Sequence, residues 1–289
     1  MELRLSCALV LGLPLLGACS VDTDGSVADA GGSTSALVAV ERSTSADPNA
    51  GSRAGAFAGF VHVPSGADPT TVMTLVGLRR ALPEPGSCSV DSTSYDPNVS
   101  LASMGRVELL DAGDIEVEAL GAASTLEPRA FPTVTDFVSG VVYTTRDQSA
   151  EPLPAETSYT VRGSGSEGIG PFVSTHQAPK MVSGVTVGGI PLAELSSVAL
   201  GAPIDITWDP DEASDLIYVE LVGADGAAAT LCAFSDNGIG TITPGHFEAT
   251  GLGEISVHRV RVMELRGEGL DHGELRFDFE LTAAVHYTR

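Results

Sequence analysis

The chain has 289 residues, with 38 acidic and 15 basic side chains and a net charge of −23 at pH 7. That balance excludes nucleic acid as a partner, because phosphate backbones are gripped by clustered Lys and Arg, and no basic cluster exists beyond the pairs Arg79-Arg80 and Arg259/Arg261. The length is enough for two ordinary domains, each with its own core.

Residues 1–18 read as a leader. The apolar run Leu5 to Leu16 is shorter than the roughly 20 residues a membrane span needs, and small residues close it, which fits the core of a secretory signal. Leu16-Gly17-Ala18-Cys19 resembles the lipobox of bacterial lipoproteins. The resemblance implies cleavage before Cys19, a diacylglyceryl group on its thiol and a further acyl chain such as palmitate on its new amino group. An ordinary signal peptide cut after Ala18 or Ala30 is the alternative. Each buried methylene contributes about 0.8 kcal/mol, so the three chains carried by that family would anchor a domain durably. Ser20 after the cysteine implies, by the same resemblance, the outer membrane, facing the periplasm or the cell surface. No later stretch reaches the roughly 18 uninterrupted apolar residues of a second span.

From Cys19 to Gly51 the chain is Ser, Thr, Gly, Ala and Asp with a brief apolar island at Leu37-Val38-Ala39-Val40. This composition predicts a flexible, disordered tether over 19–51. Residues 52–178 read as a first β domain, with strands over Phe57–Val63, Val72–Leu78, Arg106–Leu110, Ile115–Leu120, Phe137–Thr145 and Ser158–Arg162, each short, β-branched and bounded by turn residues. Asp111 to Asp114 predicts a hairpin turn, with Gly113 free to take positive φ. A break at Gln177-Ala178-Pro179-Lys180 precedes a second domain over 179–289. Its strands are Val182–Val187, Ile204–Trp208, Leu216–Val222, Ala229–Phe234, Gly240–Thr243, Ile255–Met263 and Leu275–Tyr287. In the last of these, Leu275, Phe277, Phe279 and Leu281 alternate with Arg276, Asp278 and Glu280, which predicts one core face and one wet face. The expected fold is all-β, two antiparallel β-sandwich-like domains behind the leader and tether.

Two local patterns resemble the fibronectin type III and immunoglobulin-like family. Leu153-Pro154-Ala155-Glu156-Thr157-Ser158-Tyr159 looks like its tyrosine corner, which implies that the Tyr159 hydroxyl closes onto upstream backbone. Ile204-Asp205-Ile206-Thr207-Trp208, followed by Ile217-Tyr218-Val219-Glu220-Leu221, resembles the strand carrying the core tryptophan and the strand after it. The layout of lipobox, tether and β domains is similar to surface lipoproteins of GC-rich Gram-negative bacteria. Cys7 leaves with the leader, so Cys88 and Cys232 remain for the oxidising space outside the cytoplasm. Two readings stand for them, a disulfide or two separate buried thiols, because they fall in different predicted domains and a bridge needs Cα atoms within about 7 Å.

Few residues point to chemistry. Gly163-Ser164-Gly165-Ser166-Glu167-Gly168 spells a dinucleotide fingerprint, yet Ile169-Gly170-Pro171 cannot open the helix that would meet a pyrophosphate. There is no nucleophile elbow and no metal spacing among the six histidines, and His258 and His286 fall within predicted strands. Asp209, Asp211, Glu212 and Asp215 lie on one predicted loop and form a candidate calcium site, since hard cations take six to eight oxygens; a solvated turn is the competing reading. Asp236-Asn237-Gly238 reads as a turn. The expected function is therefore non-catalytic: an anchored protein of the outer membrane, with no catalytic or cofactor-binding residues, that binds a protein or glycan partner through its sandwich loops or serves as structure. The alternative is a calcium-dependent glycan-binding module or an envelope hydrolase with a site dispersed over loops.

Overall fold

The computed structural model describes residues 31–91, 105–131, 138–145, 153–224, 229–244, 247 and 250–289. The leader, Cys19 and its lipobox lie outside the described residues. In chain order the elements begin with β1 (Ser33–Ser45), β2 (Ser52–Val63), α1 (Pro69–Leu75), β3 (Ser87–Asp91), β4 (Val107–Leu109) and β5 (Ile115–Ala119). They continue with β6 (Ala122–Ala130), β7 (Val138–Thr144), β8 (Ser158–Gly163), β9 (Phe172–Gln177), β10 (Thr186–Val187), β11 (Ile190–Pro191) and a 3-10 turn at Leu192–Glu194. The last are β12 (Ser197–Ala199), β13 (Ile204–Thr207), β14 (Leu216–Gly223), β15 (Ala229–Ser235), β16 (Ile239–Ile242), β17 (Gly251–Glu264) and β18 (His272–Thr288). The fold is all-β, as expected. One sheet holds 14 strands in the order β3-β15-β14-β17-β18-β1-β2-β4-β7-β6-β5-β8-β9, with β12 beside β18, and β11-β10-β13-β16 form a small second sheet. The large sheet is mixed: β1–β18, β12–β18 and β4–β7 pair parallel.

The predicted tether is corrected over its second half. Ser33–Ser45 is a strand clamped between β2 and β18, because its apolar island is buried on both faces. Ala36, Val38 and Val40 enter one core and Leu37 and Ala39 enter another, the pattern of an interior strand. A second correction concerns Val72–Leu78, which is helical from Pro69 to Leu75. Asp68 caps this helix by accepting from Thr71 N at 2.7 Å, and Pro69 supplies the fixed φ that suits the first helical position. A third concerns Asp111–Asp114. Gly113 does take positive φ, at 74°, but β4 and β5 pair with other strands, β2 and β7 for one, β6 and β8 for the other.

Residues Gly31–Arg289 form one compact unit, so regions 52–178 and 179–289 are not separate sandwiches. The strand β18 explains why. Its odd positions all face one way: Leu275, Phe277 and Phe279 fill a core beneath β5, β8 and β9, whereas Ala283, Val285 and Tyr287 fill a second core beneath the small sheet. The expected core face of this strand thus serves two cores in succession. The Tyr159 hydroxyl donates to Pro154 O at 2.9 Å, as the tyrosine corner implies, and Trp208 is buried in the second core. The break near residue 178 is also held fast. Arg259 donates to the carbonyls of Lys180 and Met181, and Arg261 to that of Gln177.

Candidate functional site

The other face of the large sheet carries the site. Side chains alternate along a strand, so with Leu37 and Ala39 packed beneath α1, Glu41 and Ser43 emerge beyond the helix on the same face of β1. After α1 the chain crosses this face as a strap. Leu78 seats on Gly59, where a Cβ would lie 2.5 Å from Leu78 Cδ1, so that glycine permits the close approach. Arg80 then grips Glu220 of β14 through two bonds of 2.6 and 2.7 Å, and Leu82 packs on Tyr218, Leu231 and Val260. Beside the strap lies a groove of about 480 Å³.

Strand register assembles its floor. Tyr218 of β14, His258 of β17, Glu280 of β18, Ser43 of β1 and Arg53 of β2 stand opposite one another in a row. The next row pairs Asp278 with Glu41. The His258 ring stacks on Tyr218 with centroids 4.0 Å apart and 13° between planes. Its Nδ1 lies 2.8 Å from Asp278 Oδ1, and the Tyr218 hydroxyl donates to Asp278 Oδ2 at 3.0 Å. On the far side Nε2 is 3.1 Å from Glu280 Oε2 without hydrogen-bond geometry. Both imidazole nitrogens therefore face carboxylates.

These contacts set the direction in which each group's acidity moves. Burial pushes the His258 pKa down, but Asp278, through its charge and hydrogen bond, and Glu280 outweigh it and leave it raised. Burial likewise works to raise Asp278, and His258 and the Tyr218 hydroxyl overcome it and hold the carboxyl below its usual range. Burial and the charge of Asp278 push the Tyr218 phenol well up. Glu41, at the groove's open side, is pushed up to about 7 by desolvation and by its neighbours Asp278 and Glu280. The sign of the consequence is definite: an unfolded Glu41 ionises near 4.5, whereas the folded one resists until about 7, so its stability contribution is present below pH 4.5 and lost as pH rises through 7. Glu41→Gln is expected to raise the thermal midpoint at pH 8 and leave it nearly unchanged at pH 5. Because the side chain is solvent-reachable, the gain is under about 1 kcal/mol. Circular dichroism melts at the two pH values check it.

The loop weighed as a calcium site or a solvated turn is built around an arginine. Asp211, Glu212 and Asp215 converge on the guanidinium of Arg261 at 2.9, 3.2 and 2.7 Å, while the Asp209 carboxylate accepts from Ser183 Oγ at 3.0 Å. Their oxygens are thus committed to arginine and serine, and among the described residues no group of three His, Cys, Asp or Glu could hold a metal. Burial works to raise the Asp211 carboxyl, but the Lys180 N–H and Arg261 hold it below the usual range. Asp236 does sit in a turn with Gly238 at φ 89°, yet it is buried and binds Trp208 Nε1, Asp211 N and Arg259 Nε. Cys88 and Cys232 form a disulfide, their strands β3 and β15 placing them directly opposite.

The sequence expectations place Tyr218, His258, Asp278 and Glu280 on strands and not together in a site. Glu41 fell in a predicted tether, His258 had no partner nearby in sequence, and Asp278 and Glu280 were read as a wet strand face. Comparisons with known proteins add no assignment. No protein-family model matches the chain, and no curated protein does. Among solved structures it is similar to the Fcho1 Mu homology domain of Danio rerio with a bound Eps15 peptide, at 11% identity, over 88% of this chain and 97% of that one, with a TM-score of 0.28. A likeness of that size carries no argument about either fold or function.

Proposed function

We propose that the chain is a lipoprotein of the bacterial outer membrane, anchored through acyl chains on Cys19, whose β unit acts by binding rather than by catalysis. The observation that carries the reading is Leu16-Gly17-Ala18-Cys19 behind its short apolar run. The disulfide between Cys88 and Cys232 supports it, since such bonds persist in oxidising compartments outside the cytoplasm. With β1 beginning at Ser33, the segment from Cys19 is roughly 14 residues, with an extended contour of at most about 50 Å. Two further observations favour binding. His258 lies between two carboxylates that favour its charged form, which suits a fixed charge better than a general base. The concave polar surface lies on strands rather than on loops, and we assign recognition to that face.

Cys19→Ala is the test. The expected result is that the variant moves from the membrane fraction to the soluble fraction and no longer incorporates labelled palmitate. Retention in membranes with undiminished label would overturn the anchor.

A further inference from the structure

Most charges around the groove have partners. Arg80 holds Glu220, Arg276 holds Glu274, and His258 lies between Asp278 and Glu280; Arg42 donates to Leu153 O. Glu41 and Arg53 are left over. Neither makes a hydrogen bond or ion pair among the described residues, although both line the groove. They stand diagonally on neighbouring strands, Glu41 opposite Gly55 and Ser43 opposite Arg53, at a spacing of roughly 7–8 Å that long side chains can span. Gly55 adds no side chain between them. A carboxylate and a guanidinium within mutual reach and yet apart leave room for a molecule carrying the complementary charges.

His258 lies beneath the same space. It keeps only 6% of its surface exposed and lines the groove, and its Nε2 has no hydrogen-bond partner. That atom is buried and lies 3.1 Å from Glu280 Oε2, so His258 belongs to the floor of the groove and offers no free donor. The groove therefore offers an anion at one point and a planar two-pronged cation at another, above a floor formed by the stacked Tyr218 and His258 rings. A plain cation would leave Arg53 unmatched, and a plain anion would leave Glu41 unmatched.

We propose that this groove binds a small zwitterion, a molecule with a primary ammonium and a carboxylate, placing the ammonium at Glu41 and the carboxylate at Arg53. The inference rests on the binding role above and names its ligand class. Guanidinium matches a carboxylate with two parallel bonds, whereas Glu41 in its ionised form supplies the counter-charge for the ammonium. The groups facing Glu41 are Asp278, Glu280 and Arg276 of β18, His258 of β17, Tyr218 and Glu220 of β14, Arg53 of β2 and Arg80 of the strap. Affinity is accordingly expected to fall as pH drops from 8 to 5.5 and Glu41 takes up its proton.

The test is calorimetric titration of the full chain at pH 8 with glycine, 4-aminobutyrate and 6-aminohexanoate, a series that steps the distance between the two charges, against butylammonium and butyrate. The expected result is that at least one zwitterion binds tenfold or more tightly than either singly charged probe. Glu41→Gln and Arg53→Gln, both open to solvent and checked as folded by circular dichroism, should each weaken it at least tenfold. The proposal is overturned if no probe releases heat, if singly charged probes bind as well as the zwitterions, or if either variant binds like the wild type. Membrane release by Cys19→Ala is read in separate fractions, so loss of the ligand and loss of the anchor are told apart.

Discussion

Arg259→Met is expected to lower the free energy of unfolding by about 3–5 kcal/mol, the cost of breaking a buried ion pair from one side. Arg259 has no exposed surface, and neither does the Asp236 side chain that accepts its Nε at 2.8 Å. The guanidinium also donates to three backbone carbonyls, those of Lys180, Met181 and Asp209. Removing it leaves the Asp236 carboxylate with only Trp208 Nε1 and Asp211 N, and it leaves those carbonyls without this donor. An unpaired buried charge costs more than the pair gains. Arg259→Lys keeps the charge but not the planar fork, so it should recover only part of the loss. Urea unfolding curves measure both. Asp236→Asn in the Arg259→Met background should cost less than the sum of the separate losses, because the two side chains act as a unit. A loss below about 1 kcal/mol for Arg259→Met would place this pair with ordinary surface pairs and contradict the burial argument.

The second large effect belongs to the disulfide. Reduction, or Cys88→Ala combined with Cys232→Ala, is expected to cost about 2–5 kcal/mol. The bond closes a loop with a sequence separation of 144 residues, and loops of that size lie at the upper end in the chain-entropy account. Its location adds to the effect. Among the described residues β3 is at the sheet edge and pairs only with β15, so the covalent link reinforces a single ladder where the chain leaves the strap. Denaturation curves with and without dithiothreitol test this. The alanine pair should resemble the reduced wild type and should itself be insensitive to reductant. A reduced protein as stable as the oxidised one would show that the edge strand holds without the bond.

What could be read from the sequence depended on how far apart the interacting residues lie. Strands such as Leu216–Val222 and Leu275–Tyr287 were legible, because alternation is a local signal. Ser33–Ser45 was not, since Ser and Thr flanking a four-residue apolar island resemble a linker until both faces are buried by β2 and β18. The helix at Pro69 had a signal in Asp68-Pro69, an N-cap followed by proline, which the β-branched Thr70, Thr71, Val72, Thr74 and Val76 outweighed. The acidic loop reads from sequence as a calcium site or a solvated turn; it gathers on Arg261, which lies far along the chain, and spacing could not supply that partner. The groove is the extreme case. Its members come from positions 41, 53, 218, 258, 278 and 280 and meet only through the register of five strands. Cys88 and Cys232 meet by register in the same way.

The placement of β1 has a mechanical consequence. Its ladder to β18 runs from Ser35 to Ser45 and its ladder to β2 from Ser33 to Thr44, so the strand nearest the N-terminal segment is stitched along both edges. Inter-strand hydrogen bonds lie across the strand direction. Tension drawn along β1 from Ser33 therefore meets all of them at once, in shear, and cannot peel them one at a time. A chain tethered by its N-terminal end would pass load from its anchor directly into the middle of its largest sheet, through the element best placed to resist it.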